Sequence, residues 1–151
     1  MDQGSLKRKL SRRALLRATL TGGSAALLAA CGGPLRYAPK GTPKAPETDA
    51  HLIAEVDEKA SLTHLTITAE HLAPPGRLQD GGTTYVVWTR KNDSGVWQRV
   101  GALDYDVGDR KGGLKDASVP LTAFDLVVSI EKQAAPASPS SDIVLQQHVQ
   151  D

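Results

Sequence analysis

Three aspartates lie close together in the chain, at Asp104, Asp106 and Asp109, and closely spaced carboxylates can bind a divalent cation. A calcium loop of the EF-hand type places a glutamate at its twelfth position, which counted from Asp104 is Lys115. Calcium also takes about six to eight oxygen ligands, which is more than three side chains supply. We interpret the aspartates as a solvated acidic turn, and we predict no metal and no cofactor.

The other side chains that could do chemistry do not form a recognisable catalytic set. The histidines His51, His64, His71 and His148 are spread along the chain, without the tight pairing of zinc ligands. His71 follows the alternating residue Ala69, so we expect it to face the core. No nucleophile-elbow glycines surround Ser61, Ser94 or Ser129. We therefore interpret the protein as non-catalytic.

Two alternative interpretations would give the protein a catalytic or ligand-binding surface. If Glu70 converges with Asp104 or Asp106 in the fold, the chain is an accessory subunit or a hydrolase-like enzyme, and a deep pocket with paired carboxylates would favour this. Trp88 and Trp97 flank one predicted hairpin and could form a stacking platform for a sugar. We favour packing of both indoles over a small core, with their N–H groups at its edge.

Cys31 is the only cysteine of the chain. The sequence Leu28-Ala29-Ala30-Cys31 resembles the lipobox of bacterial lipoproteins, in which the cysteine thiol receives a diacylglycerol and becomes the mature N terminus. The resemblance implies that Cys31 carries acyl chains such as palmitate, and that this lipid holds the protein at a membrane. The alternative is a buried thiol that packs as a small apolar residue.

The residues before the cysteine have the order of an export signal. A basic segment over residues 7 to 13 precedes an apolar run over residues 18 to 30, which is shorter than the about 20 residues that span a bilayer. We predict a helical, cleavable signal peptide over residues 1 to 30, with an uncleaved anchor as the alternative. The pair Arg12-Arg13 resembles the twin-arginine export signal, and an ordinary Sec signal is the alternative.

Removal of the signal changes the charge of the protein. Residues 1 to 30 hold six of the 18 basic and one of the 17 acidic residues, which leaves 12 against 16 and a net charge of −4. An acidic cargo without a basic cluster argues against nucleic-acid binding and against electrostatic attachment to anionic lipids. Gly32 follows the cysteine, and by resemblance to bacterial sorting rules this favours the outer membrane over the outer leaflet of the plasma membrane.

The exported part divides into a tether and one domain. Residues 32 to 50 contain four prolines and three glycines, so we predict a flexible linker over residues 31 to 50 with a reach of about 25 Å. Residues 51 to 151 consist of short apolar alternations separated by turn residues, most clearly at Leu65, Ile67 and Ala69. We predict an all-β monomer, an antiparallel β-sandwich of about seven strands.

Turn residues between apolar runs predict three strand pairs in this domain. The best signal is Asn92 to Gly95, whose turn chemistry lies between two β-rich runs. The predicted pairs are residues 84–90 with 96–103, residues 103–107 with 114–119, and residues 125–132 with 143–149.

The order of short motifs in this region resembles the extracytoplasmic domain of anti-sigma-K-type factors. The resembling segments are Tyr85 to Trp88, Val100 to Leu103, Asp125 to Lys132, and Ala137 to Pro139 before Ile143 to Leu145. The resemblance implies an immunoglobulin-like β-sandwich on the outer side of a membrane. The sigma-binding region and membrane helix of that family are not among the matching segments, so inhibition of a sigma factor is not implied.

Two loops are the predicted interaction surface of this domain. The long connection Ala73 to Gly82 and the turn Gly108 to Gly113 carry the candidate residues Arg77, Asp80 and Arg110. Sandwich domains place recognition on loops that a rigid scaffold holds. We therefore expect a partner in the cell envelope, either a protein or a polymer. The alternative is that both loops are only connections.

Overall fold

A computed structural model describes residues 33 to 150 of the chain. Strand formers separated by glycine-, proline- and aspartate-rich turns dominate this part of the sequence, and the strands follow them. The strands are β1 (Leu35–Tyr37), β2 (Asp49–Asp57), β3 (Leu62–Glu70), β4 (Thr84–Arg90), β5 (Gln98–Ala102), β6 (Asp104–Asp106), β7 (Lys111–Val119), β8 (Phe124–Glu131) and β9 (Ile143–Val149). One short helix, α1 (Pro75–Leu78), lies in the connection between β3 and β4.

The strands form two antiparallel sheets. One sheet has the order β1-β2-β3-β7-β6, and the other has the order β5-β4-β8-β9. Strands β2, β3, β7 and β6 follow the ABED order of an immunoglobulin domain, and β4, β8 and β9 follow its CFG order. The predicted all-β, immunoglobulin-like sandwich is therefore confirmed.

The core lies between the two sheets and is built by alternation along the strands. Leu65, Ile67 and Ala69 of β3 are fully buried, as their period of two predicts. Leu126 and Val128 supply buried side chains from the opposite sheet. Burial of these apolar faces is the main driving force for folding, at about 25 cal/mol per Å².

Two of the three predicted strand pairs are found, with shifted boundaries. Strand β4 pairs with β5 across the Asn92 turn, and β8 pairs with β9. The third predicted pair is wrong in its register, since β6 pairs with residues 111 to 113, which were predicted as a turn. Residues 114 to 119 pair with β3 instead. Leu103 separates β5 from β6 because the chain changes sheets there, and its amide donates to the carbonyl oxygen of Tyr85 at 2.8 Å. This change of sheet, together with β1, raises the number of strands above the predicted seven.

The predicted flexible linker over residues 31 to 50 is wrong for its described part. Strand β1 pairs with β2, and Lys40 forms a further bridge to Asp49. The amide and hydroxyl of Thr42 donate to the carbonyl oxygens of Val144 and Ile143, at 2.9 and 2.6 Å. These bonds attach the segment to both sheets, and they supply the backbone partners that proline-rich sequence cannot find in a regular ladder. The domain therefore begins near residue 33 rather than at residue 51.

Candidate functional site

A cleft at one end of the sandwich brings together the two predicted interaction loops. It consists of two cavities, of about 410 Å³ and about 170 Å³, which share Glu47, Ala73 and Arg110 in their walls. The larger cavity also contacts Arg77, and the smaller one also contacts Thr48. We call this the arginine cleft. The segment before β2, predicted to be a tether, forms one of its walls.

Two tyrosines hold the loop that begins at the end of β3. The hydroxyl of Tyr85 donates to the carbonyl oxygen of Ala73, and that of Tyr105 donates to the carbonyl oxygen of Leu72 at 2.8 Å. The two rings pack edge to face, with 5.4 Å between their centroids. Burial raises the pKa of both phenols, so both stay protonated as donors. The backbone at Leu72 and Ala73, which we call the cleft floor, is therefore fixed from the core side.

Arg110 joins the turn between β6 and β7 to the same loop. Its carbonyl oxygen accepts a hydrogen bond from the amide of Leu72 at 2.9 Å, and its Nη2 donates to the carbonyl oxygen of His71 at 2.9 Å. His71 and Arg110 both have left-handed backbones, with φ of 56° and 54°. Such backbones cost energy in residues other than glycine and concentrate at binding sites. The expected inward orientation of His71 is wrong, because this turn points the side chain to solvent, where it is 64% exposed.

Two residues that line the smaller cavity each carry a buried polar atom without a hydrogen-bond partner in the described chain. The atoms are Thr48 Oγ1 and Arg110 Nε. Thr48 is only 1% exposed, so its hydroxyl is poorly placed to use bulk water. An unpaired buried donor costs about 1 to 3 kcal/mol, and few occur in a native domain. Both residues line the arginine cleft.

The charges around the cleft are unevenly satisfied. Arg110 Nη2 lies 3.3 Å from Glu47 Oε2. Both side chains are exposed to solvent, so this ion pair contributes little to the stability of the fold. Arg77 is exposed in α1, and the described residues contain no ion pair to its side chain. The cleft therefore presents two guanidinium groups and one carboxylate to a ligand.

The predicted interaction residues do not all reach the cleft. Arg77 and Arg110 line it together, which joins the Ala73–Gly82 loop to the turn after β6. Asp80 is exposed and lines neither cavity. Thr48 and Glu47 were missed, because the sequence before β2 shows no apolar periodicity that would place it in the fold. The buried alternation Ala50, Leu52, Ala54 is the signal that β2 starts early.

Two of the carboxylates considered for catalysis or metal binding, Glu70 and Asp106, are engaged in other contacts. Glu70 lies 3.0 Å from Lys111 Nζ, and this contact lowers the pKa of the carboxyl. Asp106 Oδ1 accepts from the amides of Gly108 and Asp109, at 2.7 and 2.9 Å, so the acidic cluster is a turn. Among residues 33 to 150 no group of three or more potential ligands is positioned to hold a metal ion.

The two tryptophans do not form a common platform. Trp88 is buried, and its Nε1 donates to Ser129 Oγ at 2.9 Å. Trp97 is half-buried, and the guanidinium of Arg90 lies 4.5 Å from its ring centroid. Packing of the indoles is therefore the better description, with one ring face of Trp97 occupied by a cation–π contact.

A further cavity of about 520 Å³ lies beside this contact. Its charged residues are joined in a network: Arg90 Nε lies 3.2 Å from Asp125, and His148 Nδ1 lies 2.7 Å from the same carboxylate. The hydrogen bond to Asp125 raises the pKa of His148. These groups satisfy one another.

Comparisons of the chain with protein-family models, with curated proteins and with solved structures give no match. The likeness to anti-sigma-K-type factors stays a prediction from the motifs. Over residues 33 to 150, no helix has both the length and the apolar character needed to cross a membrane. The signal and lipidation residues, Arg12, Arg13, Leu28, Ala29, Ala30 and Cys31, lie outside the described residues.

Proposed function

We propose that this protein is a lipid-anchored binding module of the bacterial cell envelope. Residues 1 to 30 direct export, Cys31 receives the lipid, and the β-sandwich binds an envelope protein or polymer without catalysing a reaction. The lipobox-like sequence before Cys31 supports the anchor. Gly32 favours the outer membrane as the site of attachment, with the outer leaflet of the plasma membrane as the alternative.

One observation carries the binding role. Arg77 and Arg110 come from separate connections and meet in one cleft, whose backbone is fixed by hydrogen bonds to Leu72 and Ala73. A site that is ordered before its ligand arrives loses less entropy on binding.

The early start of the fold shortens the tether. Three residues lie between Cys31 and Leu35, which gives a span of at most about 14 Å. Leu35 pairs with Ala54, whereas Thr48 precedes the other end of β2, about 17 Å along the strand. The tether is thus short, and the cleft lies at the opposite end of β2 from the residues that pair with β1.

The anchoring part of the proposal is tested by changing Cys31 to Ala. We expect an unprocessed precursor that fractionates differently from the wild-type protein, whose mature N terminus carries diacylglycerol by mass spectrometry. A wild-type mature protein that begins at Met1 would contradict the anchor. Recovery of the lipidated protein only with the inner membrane would contradict the outer-membrane assignment.

The binding part is tested by recovery of the envelope partner from detergent-solubilised cells. We expect Arg77→Gln combined with Arg110→Gln to lose a partner that the wild-type protein retains. The matched control combines Lys91→Gln with Arg99→Gln, which removes the same charge from exposed residues at the hairpin between β4 and β5. Equal loss in both variants, with unchanged thermal unfolding, would contradict a specific role of the cleft.

A further inference from the structure

We propose that protonation of His148 fastens the end of β9 to β1, so that mild acid holds the segment next to Cys31 more firmly against the domain. The titrating ring and β1 are joined by Gln150, the residue that follows β9. This contact is independent of the arginine cleft, and it rests on the proposed anchor only for its consequence at the membrane.

Both ring nitrogens of His148 face an acceptor. His148 lies near the end of β9, directly opposite Asp125 of β8. Its Nδ1 lies 2.7 Å from Asp125 Oδ1, and its Nε2 lies 3.2 Å from Gln150 Oε1. A protonated ring donates from both nitrogens, whereas a neutral ring donates from only one. The arrangement therefore favours the protonated ring.

The charged groups around His148 act in the same direction, with one exception. The hydrogen bonds to Asp125 and Gln150 raise the pKa of His148 above the usual 6.5, and the charges of Asp125 and Asp93 add to the effect. Arg90 is the exception, because it is a cation that lines the same cavity and its Nε lies 3.2 Å from Asp125 Oδ2. The two carboxylates outweigh it, since the pKa is raised.

Gln150 connects the ring to β1 through Tyr37, the titratable group that β1 places here. The hydroxyl of Tyr37 donates to the carbonyl oxygen of Gln150 at 2.9 Å, and the amide of Gln150 donates to the same hydroxyl at 3.2 Å. Tyr37 also pairs with Leu52 of β2 and packs against the core. A strand of three residues makes few ladder hydrogen bonds, so its docking depends on side-chain contacts such as this one.

Release of β1 would lengthen the connection to the lipid. With β1 docked, the span from Cys31 to Leu35 is at most about 14 Å. The next contact with β2 is at Pro39, whose carbonyl oxygen accepts from the amide of Ala50 at 3.1 Å. Seven residues lie between Cys31 and Pro39, so release of β1 extends the reach to at most about 29 Å.

Acid strengthens the contact and alkali weakens it. Because the folded protein raises the pKa of His148, the stabilisation is complete below pH 6.5 and is lost as the pH rises through the folded pKa. The pairing of β1 with β2 does not depend on the ring, so we expect the docking of β1 to change several-fold and to persist at alkaline pH.

The test is an NMR titration of the full chain in detergent, from about pH 5 to about pH 8, where histidines change charge. We expect the ring of His148 to titrate with a midpoint above 6.5, and the signals of Tyr37 and Gln150 to follow the same midpoint. Amide exchange in β1, corrected for base catalysis, should be several-fold slower at the acid end. Gln150→Ala should leave His148 paired with Asp125 but remove the pH dependence of β1.

His148→Gln removes the titrating ring, and His64→Gln is the matched control. His64 is also exposed and lies 3.0 Å from Asp116, on a strand two positions from β1 in its sheet. Only His148→Gln should remove the pH dependence of β1. A His148 midpoint at or below 6.5, β1 signals that do not follow it, or equal pH dependence of β1 in the wild type and His148→Gln would each overturn the proposal. Cys31→Ala should titrate like the wild type, so a failed anchor is distinguished from a failed contact.

Discussion

Arg110 Nη2 donates a hydrogen bond to the carbonyl oxygen of His71 at 2.9 Å, and both residues have left-handed backbones. This hydrogen bond joins two residues with strained backbones at the edge of the cleft. His71→Gly should raise the free energy of unfolding by about 1 kcal/mol, because glycine adopts this backbone without steric cost.

His71→Val is the matched opposite change, since a β-branched side chain is least compatible with positive φ. It should lower the free energy of unfolding by about 1 kcal/mol or more in chemical denaturation. Equal stability of the glycine and valine variants would show that the backbone at this position is not left-handed.

Tyr85 links the stability of the cleft floor to pH. Burial raises the pKa of its phenol above the ordinary value of 10.0, so the folded protein favours the protonated form. The stabilisation is complete below pH 10 and is lost as pH rises through the higher folded pKa. We expect the wild-type protein to lose stability above about pH 10 in thermal unfolding, and Tyr85→Phe to show a smaller loss.

At neutral pH the same variant reports on the hydrogen bond to Ala73. Removal of the Tyr85 hydroxyl leaves the carbonyl oxygen of Ala73 without that donor and should cost about 1 kcal/mol. An unchanged alkaline profile in Tyr85→Phe would contradict the assignment of the effect to this phenol.

The core is tested at Ile67, which is fully buried in β3. Ile67→Ala should cost about 2 to 5 kcal/mol, because the removed methyl groups leave a cavity between the sheets. The control is Val96→Ala at a residue that is 84% exposed, where the change should stay within about 0.5 kcal/mol. Similar effects at both positions would contradict the burial of β3.

The segment before β2 is tested by limited proteolysis. Lys44 Nζ lies 2.7 Å from Asp142, and the neighbouring Thr42 donates to Val144, so trypsin should cut slowly after Lys44. Lys132 is exposed at the start of the loop between β8 and β9 and should be cut sooner. Rapid cleavage after Lys44 would support the flexible linker that the sequence predicts.

The sandwich could be predicted because its signals are local. The alternation around Ile67 needs only a period of two, and the Asn92 turn needs only its own residues. The packing of the segment that contains Thr48 could not be predicted, since this segment has no apolar periodicity. It joins the domain through single hydrogen bonds to β9 and short pairings with β2. The outward turn of His71 was missed for a related reason, because a left-handed backbone at the end of a strand overrides alternation.

Only part of the candidate site could be predicted from the sequence. Arg77 and Arg110 stand out because they lie on loops rich in glycine and proline, where recognition is common. Their meeting depends on strand order, which brings the end of β3 next to the start of β7. Thr48 and Glu47 complete the cleft from a third segment, and no local pattern links that segment to the other two.

Photo-crosslinking in intact cells tests the central claim most directly. A photoreactive residue at position 77 should give one discrete adduct with an envelope partner. The same residue at position 91, at the far end of β4 and about 20 Å along the strand from Tyr85, should give none. An adduct from position 91 in the absence of one from position 77 would contradict binding through the arginine cleft.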